Sequence, residues 1–449
     1  MSTSTAPANA LSRSIVAATR PPSARFWCPE CLRPLPRRSL QATQRRGYHV
    51  SPRNGQNAVA AAVSKAKEMF SGPPPPGPLG IDPLRSVAEE MKFMTGNIRQ
   101  LLGSGHPMLD TVSKYYTQSE GKYVRPMLVL LMSQATSMLP KDSRLWSRGA
   151  QEVDRPITPA SVLADANPSS PLTAPNIDNG EDRSILPSQR RLAEITELIH
   201  TASLLHDDVI DHSISRRGNP SANIEFGNKM AVLAGDFLLG RASVALARLR
   251  DPEVTELLAS VIANLVEGEF MQLKNTVLDE HFPIWSEDTI TYYLQKTYLK
   301  SASLISKSCR AAALLGDQPI EIVEAAYQYG KNLGLAFQLV DDMLDYTISG
   351  QELGKPAGAD LELGLATAPL LFAWKNNKDL GTLVGRKFEQ EGDVELARQL
   401  VVESDGIEQT RALAQDYVDK AALAISAFPE SDAKAGLIDM CSKVMKRRK

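Results

Sequence analysis

The sequence predicts an all-α protein, and three observations lead to this fold class. From about residue 83 onward, apolar residues recur at spacings of three and four, which is the period of an amphipathic helix. Long alternations of apolar and polar residues, typical of half-buried strands, are missing from this part of the sequence. Alanine and leucine, which both favour helices, are plentiful.

The apolar spacing, together with prolines, glycines and polar clusters, sets the predicted helix boundaries. We predict helices at 84–102, 108–117, 122–138, 190–211, 228–249, 253–274, 287–315, 320–347, 366–377, 393–403, 406–427 and 433–446. The segment 139–189 interrupts the pattern with seven prolines and many Ser, Asn and Asp residues. We predict a flexible insertion there, because this composition cannot bury enough apolar surface to become ordered.

The composition is that of an ordinary globular protein, with 43% hydrophobic and 23% charged residues. A chain of 449 residues is long enough to bury a large core. No run of eighteen or more apolar residues occurs, so no transmembrane helix is predicted. Four cysteines are too few for a disulfide framework, which fits a reducing compartment. Cys28 and Cys31 have the spacing of zinc ligands, but no second pair follows at a usual distance.

Residues 1–55 form a basic arm with nine Arg, no Lys and one acidic residue, whereas the rest of the chain has a net charge of −10. Such an arm could bind nucleic acid or an anionic membrane. Its Ser, Thr and Ala content and its N-terminal position are more typical of a mitochondrial transit peptide. We therefore predict a transit peptide at 1–55, a Pro/Gly linker at 56–82 and one folded domain at 83–449. The expected location is the mitochondrial matrix, and no nucleic-acid partner is expected.

Two apolar stretches, 134 residues apart, carry the same arrangement of three aspartates. Each set occupies positions i, i+1 and i+4, so its carboxylates point to roughly one side of a helix. Carboxylates on a core helix lose hydration and repel each other, so they need nearby cations. A single motif of this kind is best interpreted as a solvated acidic face of a helix. Two such motifs on apolar helices instead indicate a magnesium site, because Mg²⁺ prefers carboxylates, water and phosphate oxygens as ligands. The two sets are Asp207, Asp208 and Asp211, and Asp341, Asp342 and Asp345.

Basic residues that could hold phosphate lie before and after the first set. Lys122 and Arg125 follow Gly121 at a predicted helix start, where free N–H groups also favour anions. Arg216 and Arg217 directly follow the first acidic helix and could grip phosphate oxygens from two sides. Taken singly, each pair is also compatible with a solvated surface.

Two further candidates have weak signals of their own. Lys300 lies among small residues in a long helix, but most lysines extend to solvent. His200 is the other candidate, although a lone histidine on a helix is more often a packing residue. Its position two turns before Asp207 on the same helix face favours a role in the same site.

Together these stretches resemble the trans-prenyl diphosphate synthases, the family of farnesyl, geranylgeranyl and polyprenyl diphosphate synthases. The resemblance spans about 84–446 without the insertion, and it rests on GKYVRP, HTASLLHDDVID followed by SISRRG, LAGDFLLGRA, KTYLKSASLISKS, FQLVDDMLDY and LGKPAGADLELGLATAPLLFA. Many members read GK-x-T-x-P in the last motif, whereas Leu365 here replaces the basic residue. The GLAT form looks like that of mitochondrial long-chain (hexaprenyl to decaprenyl) synthases of ubiquinone biosynthesis.

The resemblance implies a bundle of antiparallel helices around a deep central cavity, with the two Asp motifs facing each other near its mouth. It implies Mg²⁺-dependent, successive 1′-4 condensation of isopentenyl diphosphate onto an allylic diphosphate, giving a long-chain diphosphate for the ubiquinone side chain. By position, the resemblance implies that the catalytic residues are Asp207, Asp211 and Asp341, and that magnesium is bound by these three together with Asp208, Asp342 and Asp345. The residues implied to bind isopentenyl diphosphate are Gly121, Lys122, Arg125, His200 and Arg217. Those implied to bind the allylic diphosphate are Arg216, Lys300, Ser301, Gln338 and Lys355.

Product length and partners are also predicted. Ala202 and Ser203, five and four positions before Asp207, are small, whereas short-product members often have an aromatic residue there as a floor. We therefore expect a growing chain to pass this level and to reach hexaprenyl to decaprenyl length. The resemblance implies a homodimer, or a hetero-oligomer with a related subunit, and the apolar product fits peripheral association with the inner membrane.

Two alternatives remain open from the sequence. A class I terpene cyclase or a head-to-head synthase also ionises allylic diphosphates, although GKYVRP, SISRRG and the doubled Asp motif argue against both. A non-catalytic partner subunit of a heteromeric synthase would share the helical fold. Such subunits can lose their acidic motifs, and this chain retains all six aspartates.

Overall fold

Helices make up nearly all of the part of the chain that the structure describes. The computed structural model describes residues 87–118, 123–140, 184–216, 218–273, 283–347 and 358–447. All of them lie in one unit, which runs from Pro76 to Lys449. The predicted transit peptide, the predicted linker and the stretch 141–183 of the predicted insertion lie outside the described residues.

The described residues form sixteen α-helices, one π-helical turn and two short antiparallel strands. In chain order they are α1 (Ala88–Leu101), α2 (Pro107–Gln118), α3 (Val124–Ser137), α4 (Pro187–Ile210), β1 (Ser215–Arg216), β2 (Asn219–Pro220), α5 (Ala222–Phe226), α6 (Asn228–Arg248), α7 (Pro252–Leu273), α8 (Glu287–Thr297), the π turn (Tyr298–Ala302), α9 (Ser303–Leu315), α10 (Ile320–Thr347), α11 (Ala359–Glu362), α12 (Ala368–Asn376), α13 (Asp379–Gly385), α14 (Asp393–Val402), α15 (Gly406–Ala424) and α16 (Asp432–Met445).

The prediction of an all-α fold is confirmed, and the long predicted helices lie where the apolar spacing placed them. Helix α4 begins at Pro187, three residues before its predicted start, because proline is well suited to the first turn of a helix. The predicted helix 287–315 is divided by the π turn. The hairpin and the short helices α5, α11 and α13 were not predicted, since elements this short show no clear apolar period.

Helices α4 and α10, which carry the two Asp motifs, both contact α9 and lie on the inside of the helix assembly. Helix α4 is buried on nearly every side from Arg191 to Ile199, which is the behaviour of a core helix. Helix α10 also contacts α15, and the buried Tyr329 hydroxyl donates a 2.8 Å hydrogen bond to the carbonyl of Leu437 in α16. Two helices distant in sequence are therefore held by one common neighbour.

Helix α6 is apolar over most of its length. By length and composition it could cross a membrane, with 44% of its most apolar window buried. Core helices of soluble proteins also pass this test, and Arg241 on its buried side donates a 2.7 Å hydrogen bond to the carbonyl of Gly103. The absence of a transmembrane helix stays a prediction.

Candidate active site

A cavity of about 320 Å³ lies between α4, α7, the α8–π–α9 rod and α10. Its size is at the lower end of the range for small-molecule sites in proteins. Most of the predicted site residues that the structure describes line this cavity. These are Arg125, His200, Ser203, Asp207, Asp211, Arg216, Lys300, Ser301, Gln338, Asp341 and Asp342.

Two aspartates of the first motif face this cavity from the last turn of α4. Asp207 and Asp211 are one turn apart, and the backbone N–H of Asp211 donates a 2.7 Å hydrogen bond to the carbonyl of Asp207. Burial and the nearby charge of Glu269 raise the pKa of Asp207 to about 7. Burial also raises the pKa of Asp211, against the influence of Lys300. In both cases burial, which disfavours the charged carboxylate, is the largest cause.

The third aspartate of the first motif points elsewhere. Asp208 is fully buried and does not line the cavity. It accepts hydrogen bonds from Arg216, at 2.9 Å from Nε and 2.5 Å from Nη2, and from the hydroxyl of Tyr116. The i+1 position lies about 100° around the helix from Asp207, which turns it toward α2 and the hairpin. In this geometry the Asp208 carboxylate anchors Arg216 and does not face the cavity, and its assignment to a metal stays a prediction.

In the second motif one aspartate is again turned away from the cavity, here the one at i+4 rather than at i+1. Asp341 and Asp342 line the cavity, whereas Asp345 is buried away from it and accepts a 3.3 Å hydrogen bond from the backbone N–H of Asp360. Asp342 accepts hydrogen bonds from the Tyr293 hydroxyl at 2.5 Å and from Gln338 Nε2 at 2.8 Å. Burial raises the pKa of Asp342 to about 6.

Basic side chains also line the cavity. Arg125 Nη1 lies 3.0 Å from His200 Nε2, so this contact joins α3 to α4. The assignment of both residues to isopentenyl diphosphate stays a prediction. Lys300 pairs with Glu269 and donates a 3.0 Å hydrogen bond to Gln272 Oε1. Four further predicted residues, Gly121, Lys122, Arg217 and Lys355, lie outside the described residues.

Several residues at the site were missed by sequence reasoning. Glu269, Gln272 and Tyr293 contact predicted residues, and Lys296 lines the cavity beside them. Burial lowers the pKa of the Lys296 ammonium. Polar residues on the apolar helix α7 were a usable signal for Glu269 and Gln272. At the C-terminus, Arg447 Nη1 lies 3.0 Å from Asp341 Oδ1, a contact that no local pattern indicates.

Apolar side chains also line the cavity. Leu204, Leu265 and Leu304 line it, and each lies three to four residues from a charged side chain of its own helix. Ser203 also lines it, whereas Ala202 is fully buried and does not. Leu365, where many related proteins have a basic residue, lines the cavity as well.

The metal-free protein is expected to lose stability as the pH rises from about 4 to 7. The folded state holds the Asp207 proton up to a pKa of about 7, whereas the ordinary value is 3.8. Between these values the folded state binds more protons than the unfolded state, so raising the pH favours unfolding. Thermal melts in chelator should show Tm falling through this range, with a flatter dependence in Asp207→Asn. Equal pH dependence in both proteins would contradict the prediction.

Among the described residues, no group of three His, Cys, Asp or Glu side chains lies close enough together to hold a metal ion by itself. Asp207, Asp211 and Asp341 nevertheless reach one cavity. Burial raises the pKa of both Asp207 and Asp211, so a bound cation would stabilise their charged forms. These donors fit Mg²⁺, which is commonly bound through one or two carboxylates, waters and the phosphate oxygens of a substrate.

Comparison with known proteins agrees with this geometry. Residues 106–401 match the Polyprenyl synthetase family. A Neurospora crassa protein named "Probable hexaprenyl pyrophosphate synthase, mitochondrial" is 67% identical over 429 residues, which cover 93% of each chain. A Schizosaccharomyces pombe protein named "Decaprenyl-diphosphate synthase subunit 1" is 48% identical over 363 residues, which cover 81% of this chain and 90% of that one.

A solved structure supports the same relationship. The crystal structure of a polyprenyl synthase from Caulobacter crescentus CB15, complexed with calcium and isoprenyl diphosphate, matches with a TM-score of 0.65 at 29% identity. The match covers 82% of this chain and 97% of that one. Since the family match spans well over half of the sequence and the fold agrees, the chain belongs to the polyprenyl synthetase family.

Proposed function

We propose that the protein is an Mg²⁺-dependent all-trans-polyprenyl diphosphate synthase that makes a hexaprenyl to decaprenyl diphosphate for the ubiquinone side chain. The observation that carries this proposal is the convergence of both Asp motifs and the Arg125, His200, Arg216 and Lys300 side chains on one cavity that leucine side chains also line. A site of this kind suits two diphosphates and a hydrocarbon tail. The names of the fungal relatives support both the reaction and the product range.

The residues have separate tasks in this reaction. Lys300, Ser301, Arg216 and Gln338 bind the allylic diphosphate, and Arg125 with His200 binds isopentenyl diphosphate. Magnesium, when held by Asp207, Asp211 and Asp341, supplies positive charge to the leaving diphosphate. Fixed cationic side chains that line the cavity would stabilise the developing negative charge without reorganisation.

The bond changes balance without a protein nucleophile. The C1–O bond of the allylic substrate breaks, and the departing diphosphate takes the electron pair. The double bond of isopentenyl diphosphate then forms a bond from its C4 to that C1, and a proton is lost from its C2. The diphosphate is the base that takes this proton, so each cycle releases diphosphate and lengthens the chain by one five-carbon unit.

The protein is proposed to act in the mitochondrial matrix as one subunit of a dimer. The basic N-terminal arm and the mitochondrial name of the Neurospora relative support the location. Exposed apolar side chains on α6 and α7 support a partner helix pair, from a second copy or a related subunit, as the pombe name suggests for that protein. They are Val232, Leu233, Val244, Val266, Phe270 and Leu273. Peripheral attachment to the inner membrane is proposed because the product is apolar.

The test uses purified protein, farnesyl diphosphate, labelled isopentenyl diphosphate and Mg²⁺, with products identified by mass spectrometry. We expect linear diphosphates of thirty to fifty carbons, and their loss when magnesium is removed by a chelator. Cyclic hydrocarbon without elongated diphosphate would identify a terpene cyclase. No turnover unless a second subunit is added, with turnover then unaffected by Asp207→Ala, would identify a non-catalytic subunit.

A further inference from the structure

The rod that carries Lys300 and Ser301 contains the π turn Tyr298–Ala302 between α8 and α9. Such turns are rare inside α-helices, and they occur frequently at functional sites. Both side chains lie within the turn, and both line the cavity. Contacts with the neighbouring helices must therefore fix the direction in which they point.

On one side of the π turn, Gly268 of α7 lies against the stem of Lys300. A Cβ atom at this glycine would lie 2.6 Å from Cγ of Lys300 and 3.2 Å from both Cβ of Leu299 and the backbone N of Lys300. The next residue, Glu269, pairs with the Lys300 ammonium, and Gln272 accepts its 3.0 Å hydrogen bond. Helix α7 thus leaves room for the stem of Lys300 and holds its charged end.

On the opposite side, Gly334 of α10 approaches the last residue of the π turn. A Cβ atom there would lie 2.7 Å from Cα and 2.8 Å from Cβ of Ala302. One turn later, Gln338 Oε1 accepts a 2.7 Å hydrogen bond from Ser301 Oγ. The close approach allowed by Gly334 therefore leads directly to the contact that orients Ser301.

Neither glycine is explained by helix stability. Both lie inside long helices, where glycine costs roughly 1 kcal/mol relative to alanine. Neither has the positive φ that would require glycine. Close approach to the π turn is the feature that the two positions share.

We propose that Gly268 and Gly334 are positioning residues that clamp the π turn from two sides and so direct Lys300 and Ser301 toward the allylic diphosphate, an assignment that rests on the function proposed above. A methyl group at Gly268 would displace the Lys300 stem, and one at Gly334 would push the turn away from Gln338. In both cases the allylic site changes, whereas none of the nearest atoms at either glycine belongs to Arg125 or His200, on α3 and α4.

The experiment measures KM for farnesyl diphosphate and for isopentenyl diphosphate, together with Tm, in Gly268→Ala and Gly334→Ala. We expect KM for farnesyl diphosphate to rise roughly tenfold, the effect of losing one hydrogen bond to a charged group. KM for isopentenyl diphosphate should change less than about twofold, since its predicted site lies elsewhere. Gly96→Ala is the matched control, because a Cβ atom at this helical glycine meets nothing within 4 Å and both KM values should stay unchanged.

A double-mutant cycle separates positioning from simple loss of packing. In a Lys300→Ala background, Gly268→Ala should add little further change in KM for farnesyl diphosphate, since the side chain it displaces is already gone. An undiminished effect in that background, or a lowered Tm with both KM values unchanged, would overturn the proposal. If one variant does not fold, the glycine on the other side supplies the same KM comparison. Inactive wild-type protein would count instead against the proposed function.

Discussion

Replacing Asp207 by alanine is expected to lower kcat by roughly a thousandfold or more, the scale of loss when a group that stabilises transition-state charge is removed. Asp207 faces the cavity from the last turn of α4, and burial leaves its carboxylate in need of a cation. Its removal would deprive the leaving diphosphate of a metal-bound counter-charge. The measurement is single-turnover condensation at saturating Mg²⁺, with Mg²⁺ affinity obtained by calorimetry in the presence of a non-reactive farnesyl thiolodiphosphate.

Asp208→Asn is the informative comparison for that variant. Asp208 is adjacent in sequence but bonds to Arg216 and Tyr116 rather than lining the cavity. We expect Asp208→Asn to keep Mg²⁺ affinity within a few-fold while lowering Tm, because it weakens a buried ion pair. Equal loss of Mg²⁺ affinity in both variants would show that Asp208 is a metal ligand after all.

Placing phenylalanine at Ser203 is expected to shorten the product by several isoprene units. Ser203 lines the cavity one turn before Asp207, and the side chains of Leu204, Leu265 and Leu304 line it too. An aromatic ring there would block the path that a growing chain must take past Leu265 and Leu304. Mass spectrometry of the products should show farnesyl to geranylgeranyl lengths in place of hexaprenyl and longer.

Two related substitutions make this prediction specific. Ser203→Thr adds only one methyl group and should leave product length nearly unchanged. Ala202→Phe enters a fully buried position off the cavity wall, so its first effect should be a loss of about 1–3 kcal/mol of folding stability through overpacking. Full-length product from a well-folded Ser203→Phe enzyme would show that the chain does not pass this level.

Much of the fold could be predicted because the long helices have a clear apolar period. Helix α10 has its predicted ends, and α6 and α4 differ from theirs by one to three residues. The π turn could not be predicted in this way, because one extra residue per turn hardly changes the pattern of Leu, Ser and Ala in that stretch. Its position depends on the space left by Gly268 and Gly334, which are distant in sequence from it and from each other.

The sequence allowed the residues of the site to be predicted, but not the direction in which each side chain points. Sequence spacing put three carboxylates of each motif near one side of a helix, and the structure turns one of each three away from the cavity. Asp208 and Asp345 find partners at Arg216 and at the N–H of Asp360. Partner choice of this kind depends on neighbouring elements, so a local motif cannot reveal it.

The most direct test of the central claim is a crystal structure with Mn²⁺ in place of Mg²⁺ and with farnesyl thiolodiphosphate. We predict anomalous peaks for manganese beside Asp207 and Asp211 and beside Asp341, bridged by one diphosphate, with the farnesyl tail directed past Ser203 and Leu204. Manganese at only one motif, or a diphosphate bound away from the cavity between α4 and α10, would contradict the account.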